Sequence, residues 1–252
     1  MKSYIKQIIG VFGMATMLSL VSSCGEKADF LKSVVPAGGA RIKFYHAASD
    51  APGVVIQVNG ANYSGVNTVS PAAAAPLVYF SAYPAVDYGM LTAGTAKISI
   101  NTAAAPVATV LAADLPVEDG KYYSVFAYGI KPNYRALVVP DVLVPADKSK
   151  AYVRLVNLVS TFATTPTRYD LLVNGVQIGT ADFGATSGNF IPVDAIAFAG
   201  TAQTVQLRIT GGTTIAALGT LQPYPGKFYT FIARGNLLNA TTLPALSVST
   251  NL

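Results

Sequence analysis

Histidine and cysteine each occur once in the 252-residue chain, and tryptophan is absent. Glutamate occurs only as Glu26 and Glu118. These shortages exclude much chemistry. A Ser-His-Asp or Cys-His relay would have to be built on His46 alone. A zinc site needs three or four His, Cys or carboxylate ligands, which His46 and Cys24 do not supply. Calcium takes oxygen ligands, yet Asp50, Asp87, Asp114, Glu118 and Asp119 form no dense Asp-x-Asp pattern. No placed carboxylate pair suggests glycoside hydrolysis, and no Gly-rich phosphate loop or dinucleotide fingerprint is present. The expectation is no cofactor, no metal and no enzyme activity.

Charge is scarce as well. Charged residues make up 12% of the chain and hydrophobic residues 52%, against about 25% charged in ordinary soluble domains. That excludes a disordered chain, which combines low hydrophobicity with high net charge, and a Glu/Lys-rich coiled coil. The net charge is +5, but no run of five cations occurs, so the clustered cations that neutralise phosphates are missing and no nucleic-acid partner is expected. What the chain does have is 22 Gly, 15 Pro and 14 Tyr, with many Thr and Val. That mixture favours strands and turns.

The N-terminus carries Lys2 and Lys6 and then no charge until past Cys24. Its apolar core, residues 8–21, is shorter than the ~20 residues of a spanning helix and fits the h-region of a signal peptide. With Val21-Ser22-Ser23 before Cys24, it resembles a bacterial lipoprotein signal over residues 1–23. In that class the peptide is cut before the cysteine, whose nucleophilic thiolate takes up a diacylglycerol. The alternative is an ordinary secretory signal with an incidental cysteine. On the lipoprotein reading the mature chain is held to the membrane through acyl chains on Cys24. Gly25, in place of Asp, resembles Gram-negative sorting to the outer membrane. Glu26, Lys27 and Asp29 loosely resemble a surface-export signal of Bacteroidetes lipoproteins, which leaves the periplasmic and outer faces both open. Acylation of Cys24 excludes a disulfide, so stability must come from the core. Residues 24–39, ending in Pro36-Ala37-Gly38-Gly39, read as a lipidated flexible tether.

The rest of the chain repeats itself. Residues 40–46 align with 151–157 at an offset of 111. Val58-Asn59-Gly60 aligns with Val173-Asn174-Gly175. Ala93-Gly94-Thr95-Ala96 aligns with Ala199-Gly200-Thr201-Ala202 at an offset of 106, and Gly120-Lys121-Tyr122-Tyr123-Ser124 with Gly226-Lys227-Phe228-Tyr229-Thr230 at the same offset. The length differences fall in the Ala-rich segment 71–76 and around residues 162–168, as expected of loops. A period above about 100 residues means two domains, since solenoid repeats run about 20–50. Each copy reads as seven or eight short strands, with Asn59-Gly60 and Asn174-Gly175 as hairpin turns. The expected fold is all-β: two tandem antiparallel β-sandwiches of immunoglobulin or transthyretin type, over residues 40–144 and 151–252. A polar linker, residues 145–150, joins them with limited freedom.

The segment from Arg41 to Pro52, followed by Val-Asn-Gly, Ala-Gly-Thr and Gly-Lys-Tyr-Tyr-Ser, resembles the DUF4397 domain, present as two copies. The opening block is degraded in the second copy, where Asn157 replaces His46, while Asp170 keeps an acidic position that the first copy fills with Val55. The resemblance implies a bacterial cell-envelope protein, loosely adhesion-like, and implies no biochemistry.

Among individual residues, His46 and Asp50 read as hydrogen-bonding anchors of a loop; three positions as close as His46, Ser49 and Asp50 converge poorly from a strand end. Tyr123 and Tyr229, at corresponding positions, read as core. Tyr83 and Tyr88 fall in the inserted region and are the candidate ligand contacts. Two functions follow. One is a non-catalytic binding or adhesion-like module for a protein or matrix partner. The alternative is a glycan-binding accessory lipoprotein that uses exposed tyrosines as stacking platforms.

Overall fold

Two Asn-Gly turns set the register of the two halves of the computed structural model. Asn59 and Gly60 have φ of 51° and 81°, and Asn174 and Gly175 have 50° and 80°, the left-handed pair that a type I′ turn requires. The structure describes residues 38–64, 75–161, 167–196, 200–237 and 243–251. The expected signal peptide, Cys24, most of the tether, residues 71–74 and residues 162–166 lie outside the described residues.

The first copy contains nine strands in order: β1 (Ala40–His46), β2 (Val54–Val58), β3 (Ala61–Asn62), β4 (Ala82–Tyr83), β5 (Gly89–Leu91), β6 (Gly94–Thr102), β7 (Thr109–Val117), β8 (Tyr122–Ile130) and β9 (Asn133–Pro140). The second repeats them as β10 (Lys150–Asn157), β11 (Tyr169–Val173), β12 (Val176–Ala181), β13 (Ala185–Thr186), β14 (Ile191–Asp194), β15 (Gln203–Ile209), β16 (Ile215–Leu221), β17 (Phe228–Arg234) and β18 (Ala245–Thr250). The chain is all-β among the described residues. Strands β3, β4, β5, β13 and β14, two to four residues long, have too few alternating residues to stand out from sequence. Leu77 makes an isolated antiparallel bridge to Val54.

Each copy forms two sheets. In the first copy β4-β1-β8-β9, with β5 also on β1, faces β3-β2-β6-β7. In the second, β13-β10-β17-β18, with β14 on β10, faces β12-β11-β15-β16. The ladders are antiparallel except β1 with β8 and β10 with β17, which run parallel. Side-chain periodicity does not report strand direction, so the parallel pairs were not visible in the sequence. Arg41 pairs with Tyr122 and Tyr152 with Phe228, which reproduces the offsets of 111 and 106. In β6 and β15 the correspondence shifts by one. Val58 faces Ile98 and Val173 faces Val205, so Gln203, not Ala202, stands where Ala96 stands. The inward aliphatics fix this register.

Three apolar clusters hold these sheets. Ile42, Phe44, Ile56, Ile98, Ile100 and Val125 belong to the first sandwich core, and Val153, Leu155, Leu171, Val205, Leu207 and Phe231 to the second. The third joins the copies: Tyr45, Phe126, Tyr128 and Val139 pack against Val156, Leu158 and Ile232. Strands β1, β8, β10 and β17 are therefore buried on both faces, which explains their nearly continuous apolar runs. The copies touch through a packed sheet-to-sheet junction, not only through residues 145–150.

A Cβ added at Gly60 or Gly175 meets nothing within 4 Å. Gly60→Ala and Gly175→Ala should each lower stability in urea unfolding by about 1 kcal/mol, the penalty of left-handed backbone alone. Gly129→Ala should lose more, because its Cβ would also run into the Asn133 carbonyl.

Candidate functional site

His46 ends β1 and is 2% exposed. Its Nε2 donates to the Pro52 carbonyl at 3.1 Å, while Nδ1 has no partner. Asp50 turns the other way: its carboxylate accepts the Lys131 amide at 2.9 Å. The hydroxyl of Ser49 is buried without a partner. His46, Ser49 and Asp50 thus form no proton relay, and His46 and Asp50 each clasp a separate stretch of loop backbone. In the second copy Asn157 takes the place of His46, donating to the carbonyls of Thr167 at 2.9 Å and Ala181 at 3.2 Å. Burial holds the His46 pKa below its ordinary value, against the raising effect of the Pro52 carbonyl. Asn59 and Asn174 each add a side-chain carbonyl to their turns, accepting the Lys97 amide at 2.9 Å and the Thr204 amide at 3.0 Å.

Tyr83 is half-buried, packs against the first core and meets Tyr63 edge-on at 5.6 Å. Tyr88 is half-buried too, and its hydroxyl donates to Asp141 Oδ2 and accepts from Asn251 Nδ2, each at 2.6 Å. Burial, then the Asp141 charge, drives its pKa up. Neither ring is an open platform. Tyr123 and Tyr229 lie in the two cores, as expected, and their hydroxyls accept the amides of Glu118 and Tyr224, five residues upstream in both cases.

Tyr88 belongs to a buried polar cluster at the junction. Arg154 is 1% exposed. Its guanidinium donates through Nη2 to Asp141 Oδ1, through Nε to Thr230 Oγ1 at 3.0 Å and through Nη1 to the Pro140 carbonyl at 3.1 Å. Its other face lies 4.3 Å over the Phe190 ring. Asp141 accepts from Ser124 at 2.7 Å as well as from Tyr88, and Thr230 donates to Asn251 at 2.7 Å. The cluster takes Tyr88, Ser124 and Asp141 from the first copy and Arg154, Thr230 and Asn251 from the second. The duplication explains it: Ser124 corresponds to Thr230, and Asp141 to Asn251, whose amides bond the Tyr122 and Phe228 carbonyls alike. Lys43 corresponds to Arg154. It is also buried, with Nζ on the Val86 carbonyl at 2.8 Å, and burial lowers its pKa while Asp87 and Asp141 hold it up. One signal could have revealed the cluster: a cation, Lys43 or Arg154, at the same position in the middle of the first strand of both copies.

Surface depressions also recur. A cleft of about 400 Å³ beside the second Asn-Gly turn is lined by Lys150, Asn174, Asp194 and Gln203 among aliphatic residues. Its counterpart beside Asn59 is about 220 Å³. Among the described residues no group of three or more His, Cys, Asp or Glu could hold a metal, and no helix is long and apolar enough to cross a membrane.

The model of a family described as a domain of unknown function, DUF4397, matches residues 40–164. The match runs through the first copy and takes in β10 of the second. No curated protein matches. Among solved structures, a chain from Bacteroides ovatus described as a "putative cell adhesion protein" aligns with 85% of this chain and 96% of its own at 8% identity. Its TM-score is 0.21, at which the likeness carries no argument.

Two outcomes follow from the geometry. Asp141→Ala leaves the Arg154 charge buried and unpaired, so it should destabilise by about 3–5 kcal/mol, with much of the loss recovered when Arg154→Met is added; chemical denaturation of the two variants measures this. For His46, the folded pKa lies below the unfolded 6.5. Its contribution is full above the unfolded value and is lost as pH falls through the folded one, because the unfolded chain takes up a proton that the folded chain refuses. Urea unfolding between about pH 7 and pH 5 should show this decline, and His46→Asn, copying Asn157, should flatten it.

Proposed function

Because the chain carries a DUF4397 domain over residues 40–164, a domain with no assigned chemistry, we propose that it is a non-catalytic, lipid-anchored envelope protein. In this reading its two sandwiches act together as a binding or adhesion-like module for a protein or matrix partner. The observation that supports the reading most is how the polar side chains are used. The one histidine fastens a loop, and one buried cluster of charged and hydroxyl groups fastens the two copies to each other. A stiff body with loops and sheet edges at its surface presents partners with a preorganised surface. The glycan reading relies on exposed tyrosines, and the half-buried Tyr83 and the doubly bonded Tyr88 favour the protein or matrix partner over it.

The anchor rests on the sequence around Cys24. Metabolic labelling with palmitate and membrane fractionation should show Cys24→Ala losing both the label and membrane association; a variant that stays membrane-bound would overturn the anchor. For the module itself, cross-linking in intact cells should join the wild-type chain to a defined envelope component. Specific capture of a neutral glycan, lost in Tyr83→Ala or Tyr88→Ala, would shift the reading to the alternative.

A further inference from the structure

The junction between the copies opens at one end into a crevice of about 170 Å³. It is lined by the β8–β9 turn, with Ile130, Lys131 and Pro132, by Arg135 on β9, and by Ser160 and Phe183 of the second copy. Three observations make it more than a packing gap.

First, both cations are exposed and neither has an ion-pair partner among the described residues. Asp50 accepts the Lys131 main-chain amide and the Tyr134 hydroxyl, and Asp182 pairs with Arg168 at 3.4 Å. Second, Ser160 is 1% exposed and its hydroxyl has no hydrogen-bond partner. An unpartnered buried hydroxyl leaves a donor available to a ligand; its counterpart Ser49 is unpartnered as well, so the two cations, not the hydroxyl, set this crevice apart. Third, the duplication supplies an internal control. At the corresponding place in the other half, Ser49 matches Ser160 and Tyr79 matches Phe183, but Leu237 stands for Lys131 and Ala245 for Arg135. The fold accepts neutral residues at both positions, so packing does not demand the two cations.

We propose that this crevice binds a carboxylate of an extended acidic peptide presented by a protein partner. Arg135 and Lys131 would supply charge-assisted donors, Ser160 the buried hydroxyl, and Phe183, Ile130 and Pro132 the apolar walls. A peptide is favoured because β9 is the outer strand of its sheet. Arg135 stands on that strand, whose outer edge has no ladder partner among the described residues and is open to an added strand. The site exists only where the two copies meet, which gives the tandem arrangement a use beyond doubling one surface.

The proposal deepens the binding-module reading and is tested on the full chain in uncharged detergent. The probe is a fluorescent Asp/Glu-rich peptide, compared with its Asn/Gln counterpart and with an oligoglucuronate. The wild type should bind the acidic peptide, more weakly as salt rises, and the amide counterpart poorly. Lys131→Gln with Arg135→Gln should weaken binding about tenfold or more. Lys121→Gln with Lys227→Gln removes as much charge elsewhere and should leave binding nearly unchanged. Ser160→Ala should weaken it without changing the melting temperature of the chain. Equal binding of acidic and amide peptides, preference for the oligoglucuronate, or an undiminished Lys131/Arg135 variant would overturn the proposal. Failure of cellular cross-linking with intact peptide binding would count against the envelope-module reading alone.

Discussion

A guanidinium shut between two sheets has to meet its carboxylate there, and much of this molecule is arranged around that requirement. Arg154 comes from the second copy and Asp141 from the end of β9 in the first. Their burial is tolerable only because the remaining donors and acceptors are satisfied by Ser124, Thr230, Tyr88, Asn251 and the Pro140 carbonyl. A buried pair of this kind adds little net stability compared with well-packed apolar residues. What it supplies is direction. Phe126, Val156 and Ile232 make undirected apolar contacts, whereas the ion pair and its hydroxyls, with the Tyr45 hydroxyl on Ser249 Oγ at 2.7 Å, are directional.

The two copies show how duplication frees residues to diverge. Lys43 and Arg154 occupy one position, but only Arg154 reaches a carboxylate, and a planar fork with five donors suits the task better than an ammonium. His46 and Asn157 both tie down the segment after the first strand. Phe80 and Gly184 both take left-handed backbone, with φ of 60° and 71°. For phenylalanine that conformation is strained, and the Arg234 guanidinium stacked 4.0 Å over its ring helps hold it there. In each pair the fold sets the backbone requirement, and each copy meets it with different chemistry.

Much of the architecture could be read before the structure. The strand alternation in β6 and β15, the Asn-Gly turns and the repeated Gly-Lys-aromatic block are local signals, and local signals survive in sequence. The placement of Tyr123 and Tyr229 followed from their recurrence. The junction was not legible, because a strand buried on both faces looks the same whether its second face meets a helix, a sheet or another copy. The buried role of the Tyr88 hydroxyl was hidden for a related reason. Tyr88 lies just before β5, which pairs with β1 as β14 pairs with β10, so it belongs to the repeated fold and matches Phe190, and its hydroxyl completes a buried carboxylate. Arg154 and Asp141 are thirteen residues apart in sequence, across a polar linker, so nothing local marked them as partners.

The junction welds the two sandwiches into one body. Differential scanning calorimetry of the wild-type chain tests it most directly. If the copies unfold together, the calorimetric and van't Hoff enthalpies should agree. A calorimetric enthalpy about twice the van't Hoff value would show two independently melting domains and contradict the claim.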